Sequence, residues 1–386
     1  MTARASIDRP LRVGLNLLFL GDGAGGVGRY ARELPGALLE AEPETEITVF
    51  VARDAPADLR DEPWAARVRW VSLLGGVSSP RTQLGQYLAL PALARARRLD
   101  VLHSPANAGP VIAPGIASVV SLMDLIWLQH ADEWDPDPRA QRATRRWVSH
   151  SVRYADRVFA ISAAAAEDLI SSLGIERERI AVTPLGVRRP AAAPTPEADL
   201  RGSLKLGEAR VLLCVAQKRR YKNLDRLVRA LAGTDPDVVL VLPGRRTAYE
   251  DELRRLAVGL GVDARLRTPQ WLGESDLAGL YALSEAFILP SLTEGFGLPV
   301  LEAMAHDLPV ACSDIPALRE VAGDAALLFD PHDQGGVDRA VGRLLADERL
   351  RRDLVQLGRA RARSFTWART GRRSLEGYRA AIAGGD

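Results

Sequence analysis

The residues best suited to chemistry in this sequence lie in the stretch Ser291-Leu-Thr-Glu-Gly-Phe-Gly-Leu-Pro-Val-Leu-Glu302. The apolar run 286–290 before it predicts a buried parallel strand, and Pro299 is typical of a first helical position. Backbone amides in such a strand-to-helix loop attract anions, so the stretch predicts a diphosphate site. Glu294 lies inside the loop. Glu302, expected in the first helical turn, could accept hydrogen bonds from sugar hydroxyls.

Each glutamate also has a plainer interpretation. Glu302 could only interact favourably with the helix dipole, and Glu294 could be an exposed loop acid. For a single glutamate in such a place the plain interpretation would be preferred. Two acids eight residues apart around a Gly-Phe-Gly-Leu-Pro turn favour a binding site instead.

A second candidate segment is basic. Residues 210–216 predict a strand, and Gln217-Lys-Arg-Arg-Tyr-Lys-Asn-Leu224 follows it before a helix that is expected to end near residue 232. The four cations of this loop combine charge, hydrogen-bond donors and a helix N-terminus, which together suit a diphosphate. The alternative, a solvated loop, is the weaker interpretation.

The N-terminal half has a glycine-rich loop, Gly21-Asp-Gly-Ala-Gly-Gly-Val-Gly28, between a predicted strand and a helix predicted to begin at Arg29. Because glycine lets the backbone come close to a ligand, Gly26 and Gly28 could contact a phosphate or a sugar. His103 ends another predicted strand. It is expected either to line a cleft or to be a hydrogen-bonded structural histidine.

Taken with these segments, the stretch 287–304 resembles the signature of retaining nucleotide-sugar glycosyltransferases of family 4. The resemblance runs from Gly14 to about Tyr378, and the paired glutamates are its most specific part. It implies an α/β GT-B fold, in which two Rossmann-like, doubly wound parallel-sheet domains face a central cleft and a C-terminal helix crosses back to the N-terminal domain. It also implies that a hexose-type sugar moves from a nucleotide diphosphate sugar to an acceptor hydroxyl with retained configuration, without a metal or another cofactor.

The resemblance assigns roles to individual residues. Those implied in catalysis are Glu294, Asp124 and His103. Those implied in binding the donor diphosphate and sugar are Lys222, Arg219, Arg220, Gly295, Phe296, Gly297, Leu298, Gly26 and Gly28. Those implied in binding the nucleotide ribose and base are Glu302, Gln270 and Trp271, although Trp271 is equally well explained as a core residue.

Two positions depart from the family pattern. Met123 stands where relatives carry the histidine of a His-Asp pair, and a methionine neither accepts a proton nor bonds usefully to a hydroxyl. Asp124 would then take over part of that role. Gln217 stands where an arginine is usual, so Arg219 or Arg220 would supply the missing charge.

Met123 motivates a hypothesis of a different class, a catalytically weakened nucleotide-sugar-binding partner protein. A GT-B-like epimerase acting on nucleotide sugars is a third hypothesis. The presence of both Glu294 and Glu302 opposes the first alternative. The basic loop and the Glu-Gly-Phe-Gly-Leu-Pro stretch fit a transferase better than an epimerase.

Length sets the domain organisation, because a chain of 386 residues is long for one core. The predicted N-terminal, acceptor-binding domain covers residues 1–188. A proline-rich linker at 189–199 leads to a nucleotide-sugar-binding domain at 200–365. A terminal helix at 366–386 is expected to pack on the N-terminal domain.

Composition excludes several classes of protein. A formal charge of +2 gives no global case for nucleic acid, and no apolar run approaches the ~20 residues of a membrane-spanning helix. Cys214 and Cys312 lie in apolar, strand-like settings and are expected to be core residues, which favours a cytoplasmic protein. The basic N-terminus imitates a signal peptide, but Asn16 breaks the apolar run, so secretion is rejected. The five histidines form no Cys/His cluster, and no structural metal is predicted.

A basic helix is predicted over residues 139–157, with an apolar stripe at Trp147, Val148 and Val152. Its cations are Arg139, Arg142, Arg145, Arg146 and Arg153. The favoured interpretation is a solvated face over a packed one. The alternative is peripheral contact with the inner face of an anionic membrane, or with a lipid-phosphate acceptor. Carbohydrate, lipid-linked and small-molecule acceptors all stay open, as do the donor base and the donor sugar.

Overall fold

The computed structural model describes residues 9–21, 25–73, 75–76, 80–107, 109, 115–134, 137–187, 193–270 and 272–384. The chain forms two compact units. The first comprises Met1–Gly186 together with Thr366–Asp386, and the second comprises Val187–Phe365. Two predicted features lie outside the described residues, namely Trp271 and positions 189–192 of the linker.

The first unit is built on a seven-stranded parallel sheet with the order β3-β2-β1-β4-β5-β6-β7. Its strands are β1 Arg12–Leu17, β2 Glu46–Ala52, β3 Arg69–Leu73, β4 Val101–Ser104, β5 Ala117–Leu122, β6 Arg157–Ala160 and β7 Ile180–Val182. Its first helices are α1 Gly25–Ala41, α2 Pro80–Ala96, α3 Ile126–Gln129, α4 Ala131–Trp134, α5 Pro138–Tyr154 and α6 Ala163–Leu173. The central strands are almost continuously buried, as expected of a parallel sheet covered on both faces.

The second unit has a six-stranded parallel sheet with the order β10-β9-β8-β11-β12-β13. Its strands are β8 Arg210–Leu213, β9 Val238–Val241, β10 Leu266–Arg267, β11 Ala286–Leu289, β12 Val310–Ser313 and β13 Ala326–Phe329. Its helices are α7 Glu197–Ser203, α8 Leu224–Ala232, α9 Ala248–Gly259, α10 Glu274–Leu283, α11 Leu298–Ala305, α12 Pro316–Ala322, α13 Gln334–Ala346 and α14 Glu348–Arg363.

Both strand orders are doubly wound, so the predicted fold class is confirmed. Each order reverses at one place, between β1 and β4 in the first sheet and between β8 and β11 in the second. Loops leaving the carboxyl ends of such neighbouring strands diverge, and the crevice between them is where open α/β sheets bind ligands. The predicted site residues Lys222 and Glu294 follow β8 and β11, and Gly26 and His103 lie at the ends of β1 and β4.

The last helix, α15 Trp367–Gly384, belongs to the first unit. It lies so close to α1 that a Cβ at Gly371 would be 2.0 Å from the carbonyl oxygen of Ala37. A Cβ at Gly377 would be 2.4 Å from the ring of Phe159 in β6. Glycine at both positions lets the helix backbone rest directly on the elements beneath it.

Several element boundaries differ from those predicted; β8, for example, ends at Leu213 and not at residue 216. Helix α1 begins at Gly25, so the last four residues of the predicted glycine loop form its first turn. Helix α5 ends at Tyr154, three residues before the predicted end at Arg157, and Arg157 opens β6. The helix ends because Ala155 has an extended backbone, with a φ of −69° and a ψ of +137°.

Cys214 and Cys312 are free and buried, as predicted for core residues. Burial raises the pKa of the Cys214 thiol to about 12 and raises that of Cys312 as well. Neither thiol is therefore a reactive nucleophile. Among the described residues, none of the helices combines the length and the apolarity needed to cross a membrane.

Candidate active site

The loop 291–297 follows β11 and leads directly into α11. Gly297 has a φ of +107°, and a Cβ there would lie 2.4 Å from Leu318 Cδ2. Only glycine therefore fits at the entrance to the helix. Pro299 is the second residue of α11 and not the first as predicted, but it still lies in the first turn, where its missing N–H removes no hydrogen bond.

Two predicted site residues from distant parts of the sequence meet in this loop. Lys222 Nζ donates a hydrogen bond to Glu294 Oε1 at 2.6 Å, and the Ser291 hydroxyl donates to the same oxygen at 2.7 Å. The two charged side chains are only 12% and 8% exposed. Because burial weakens the screening of charge, this ion pair holds a cation and a carboxylate in fixed positions at the switch point of the second sheet.

The loop carrying Lys222 is anchored by its neighbour Asn223, which has a φ of +56°. The Asn223 amide donates to the carbonyl of Pro290 at 3.0 Å and to that of Pro331 at 2.9 Å. In addition, the Leu292 amide donates to the carbonyl of Tyr221 at 2.8 Å. The loop after β8 and the loop after β11 are therefore joined into one structure.

The two predicted diphosphate-binding arginines of the basic loop are both at least partly exposed. Arg219 is half-buried, and its Nε donates to Gln217 Oε1 at 3.3 Å, beside the position where the family usually has arginine. Arg220 is exposed, pairs with Glu252 at 2.6 Å and lies 5.6 Å above the ring of Tyr249. Both cations can be reached from solvent.

The remaining cation of the loop, Lys218, is buried and does not face solvent. Lys218 is fully buried, and its Nζ donates to the carbonyls of Gly244 and Pro269 at 2.5 and 3.1 Å. The expectation that all four cations could serve a diphosphate is therefore wrong for Lys218. Its ammonium points beneath the loop, toward the ends of β9 and β10.

Glu302 lies on α11, facing the interior. It is the fifth residue of that helix, so its predicted place in the first turn is wrong and it lies in the second. The hydroxyl of the buried Tyr281 donates to Glu302 Oε2 at 3.0 Å. Tyr281 is itself held by a stacked contact with His306, with ring centroids 5.0 Å apart.

The remaining predicted donor residues of the second unit differ in exposure. Gly295, Phe296 and Gly297 are buried, and Leu298 is half-buried. The Phe296 ring meets Phe365 edge-on at 5.8 Å, so its side chain belongs to the core. Contact of this segment with a ligand would have to be made by its backbone. Gln270 is exposed.

In the first unit, His103 is completely buried at the end of β4. Its Nδ1 is 2.6 Å from the Tyr378 hydroxyl of α15, and its Nε2 is 2.8 Å from the Ser121 hydroxyl of β5. Burial lowers the pKa of the imidazole to about 3, so the ring is neutral. The arrangement favours the structural alternative for His103 over a catalytic role.

The Met123-Asp124 pair follows β5. Met123 is buried, and its amide donates to Asn107 Oδ1 at 3.2 Å. Asp124 Oδ1 accepts a hydrogen bond from the Ile126 amide at 3.0 Å, which orients the carboxylate at the start of α3. Asp124 is half-buried.

The predicted glycines Gly26 and Gly28 form part of the first turn of α1. Gly28 is buried, whereas Gly26 is exposed, and no described heavy atom lies within 4 Å of a Cβ built on it. Packing against the described residues does not require a glycine at position 26. The open space above it leaves the backbone of the helix N-terminus accessible.

The sequence analysis gave no individual role to four residues that shape the site: Ser291, Asn223, Tyr281 and Glu250, whose carboxylate lies 3.3 Å from Lys218 Nζ. Asn223 had a usable signal, because asparagine tolerates positive φ and often ends a turn before a helix. Tyr281 and Glu250 had none, since their partners are 21 and 32 residues away in the sequence. Within the described part of the chain, no group of three or more acidic, histidine or cysteine residues is arranged to hold a metal ion.

Two family models match the chain. Residues 24–189 match the model described as Glycosyltransferase Family 4, and residues 197–361 match the model described as Glycosyl transferases group 1. The first model covers the first sheet from β2 to β7, and the second covers the whole of the second sheet. The second includes Lys222, Glu294 and Glu302.

Curated relatives with similar sequences are also glycosyltransferases. The chain is 31% identical over 265 residues to the serotype-specific mannosyltransferase WbdA of Escherichia coli, a match spanning 66% of this chain but only 32% of that protein. It is 30% identical over 400 residues to the D-inositol 3-phosphate glycosyltransferase of Salinispora tropica, spanning 93% of this chain and 82% of that enzyme.

A solved structure supports the fold. The sucrose-phosphate synthase of Thermosynechococcus elongatus superposes with a TM-score of 0.73 at 23% identity, over 96% of this chain and 98% of the other. Its two-sheet architecture is the GT-B fold seen here. Together with the two family models and the relative matched over most of its length, this shows that the chain belongs to family 4 of the glycosyltransferases.

Proposed function

We propose that this protein is a retaining glycosyltransferase that moves a hexose-type sugar from a nucleotide diphosphate sugar to an acceptor hydroxyl. The observation that supports the proposal best is the buried Lys222–Glu294 pair at the switch point, in a loop that leads into the helix carrying Glu302. Two joined loops would thus provide a cation for the diphosphate and a carboxylate for the sugar, and the helix after them would provide a carboxylate for the ribose.

The chemistry follows from these groups. The bond between the anomeric carbon and the diphosphate oxygen breaks, and negative charge grows on the leaving diphosphate. Lys222, Arg219, Arg220 and the amides of residues 295–298 would stabilise that charge. Because side chains provide the positive charge, the proposal needs neither a metal nor another cofactor.

A reaction that retains the anomeric configuration depends less on the histidine that Met123 replaces. The acceptor oxygen must form its bond on the face of the sugar from which the diphosphate leaves. The leaving oxygen can then accept the acceptor's proton, which reduces the need for a separate base. A methionine at position 123 is compatible with this route, and Asp124 would orient the acceptor hydroxyl.

We further propose peripheral contact with an anionic membrane or a lipid-linked acceptor through α5. Arg142, Arg145 and Arg146 are exposed on this helix, and Trp147 beside them is 36% exposed. Trp134, which ends α4 shortly before α5, is 46% exposed. Exposed tryptophan beside arginine is typical of helices that lie at a bilayer surface.

Binding of a nucleotide-sugar donor is tested by thermal unfolding with UDP-, GDP-, ADP- and dTDP-sugars. At about 100 times its Kd, a bound donor stabilises the folded state by about 2.7 kcal/mol. We expect one donor to stabilise the wild type and Glu302→Ala to lose that effect. If none of the donors stabilises the wild type, the transferase proposal fails and a degenerate partner protein becomes the better hypothesis. Conversion of a donor to its epimer without acceptor would identify an epimerase instead.

A further inference from the structure

We propose that Lys218, held by Glu250, is a positioning residue that fixes the nucleotide side of the donor site by joining the loops after β8, β9 and β10. The inference rests on the proposed function, since it concerns how the same donor is held. Lys218 itself would touch no substrate.

Two hydrogen bonds and an ion pair hold the Lys218 ammonium. Nζ donates to the Gly244 carbonyl at 2.5 Å and to the Pro269 carbonyl at 3.1 Å, and it lies 3.3 Å from Glu250 Oε2. Each of these three oxygens belongs to a different segment: the turn after β9, the loop after β10 and the first turn of α9. Lys218 therefore ties the loop that carries it to three others.

The burial of this pair is complete. The side chains of Lys218 and Glu250 are 0% and 2% exposed. Burial lowers the pKa of Lys218, and the nearby Glu250 carboxylate opposes that change. Glu250 is in turn held by Arg254 at 2.9 Å and by the Thr268 hydroxyl at 3.0 Å. Well-packed apolar residues often match or exceed the stability of a buried ion pair, so stability alone does not account for this one.

The loops concerned lie very close together. Gly244 has a φ of +147°, and a Cβ there would be 2.1 Å from the carbonyl oxygen of Ala216. The Gly244 amide donates to the Pro269 carbonyl at 3.2 Å, and the Ala216 amide donates to the Pro243 carbonyl at 3.3 Å. Backbone hydrogen bonds thus continue beyond the ends of β8, β9 and β10, and the Lys218 ammonium adds its own hydrogen bonds to the same loops.

The joined loops carry the residues predicted to hold the donor. Arg219 follows Lys218 directly, Lys222 comes four residues later, and Gln270 follows Pro269. A shift of the Lys218 backbone would move the diphosphate cations relative to the segment at Gln270. The Thr247 hydroxyl restricts such a shift further, because it donates to the Lys218 carbonyl while capping α9.

The experiment compares removal of the lysine alone with removal of both charges. Lys218→Met leaves the buried Glu250 carboxylate with Arg254 but without its buried cation, so this variant should have the lowest melting temperature. Lys218→Met/Glu250→Gln removes both charges and should recover most of the loss. We nevertheless expect the double variant to bind UDP or GDP, whichever the wild type prefers in calorimetry, roughly tenfold more weakly or worse. Hydrogen exchange at the Gly244 amide should accelerate in the same variant.

A matched control uses the same strand. Arg210 at the opposite end of β8 pairs with Glu285 at 2.7 Å, and Arg210→Met/Glu285→Gln removes that pair without touching the three loops. It should leave nucleotide affinity within about twofold of the wild type. Equal nucleotide affinity in the Lys218 double variant and the wild type would overturn the inference, as would an equal loss in the control. If the wild type binds no nucleoside diphosphate, the proposed function fails and this inference fails with it.

Discussion

The hydroxyl of Tyr281 donates to one carboxylate oxygen of Glu302, and this contact orients the residue assigned to the ribose. Replacing Tyr281 with phenylalanine keeps the ring, its stacking on His306 and its burial, and removes only the hydrogen bond. A hydrogen bond to a charged group contributes about 1.5–3 kcal/mol.

We therefore expect Tyr281→Phe to raise the donor KM about tenfold, with little change in kcat. Steady-state kinetics with the donor found in the thermal screen would measure this. In a Glu302→Ala background the same substitution should add almost nothing, because its effect passes through the carboxylate. A full additional loss in that background would contradict a positioning role for Tyr281.

At the scale of elements, the β8–α8 loop depends on one asparagine. Asn223 combines a φ of +56° with two hydrogen bonds to the carbonyls of Pro290 and Pro331. Alanine loses both advantages, whereas glycine loses only the hydrogen bonds.

Asn223→Ala should lower the free energy of unfolding by about 2–4 kcal/mol, and Asn223→Gly should be about 1 kcal/mol less destabilising. Urea unfolding of the two variants measures the contribution of the hydrogen bonds and the cost of the positive φ. Equal stability of the alanine and glycine variants would show that the backbone conformation at this position costs nothing.

The same loops show what can be predicted from sequence. Lys222 and Glu294 each follow an apolar strand of a parallel sheet, and the carboxyl ends of parallel strands share an edge, so their proximity was predictable. The inward turn of Lys218 was not. Nothing within a run of basic residues distinguishes the cation that will be buried, because its partner Glu250 is 32 residues away.

His103 illustrates the same limit in the first unit. Its place at the end of a strand was predictable, but its burial depends on Tyr378, 275 residues later in the chain. Element types were predicted well because hydrophobic periodicity is local. The glycine turn that became the start of α1 shows that boundaries depend on packing as well.

At the scale of the whole molecule, the proposed membrane contact should depend on charge. Replacing Arg142, Arg145 and Arg146 with glutamine removes about 3 kcal/mol of attraction to an anionic surface, or roughly 100-fold in partitioning. Sedimentation with vesicles of phosphatidylglycerol and phosphatidylcholine would measure this loss, and binding of the wild type should weaken at high salt.

The control variant carries the same change of net charge elsewhere. Arg343, Arg349 and Arg352 are exposed on α13 and α14 of the second unit, and their replacement by glutamine should leave vesicle binding unaltered. If both triple variants bind vesicles as the wild type does, or if the wild type does not bind, α5 is a solvated face.

The return of α15 to the first unit has a consequence for synthesis. Tyr30, His103 and Phe159 are synthesised before the second unit, but Tyr378, which contacts His103 and stacks on Phe159 at 5.5 Å, is synthesised after it. The second unit therefore emerges from the ribosome before the core of the first can be completed. The first unit is thus begun before the second and completed after it.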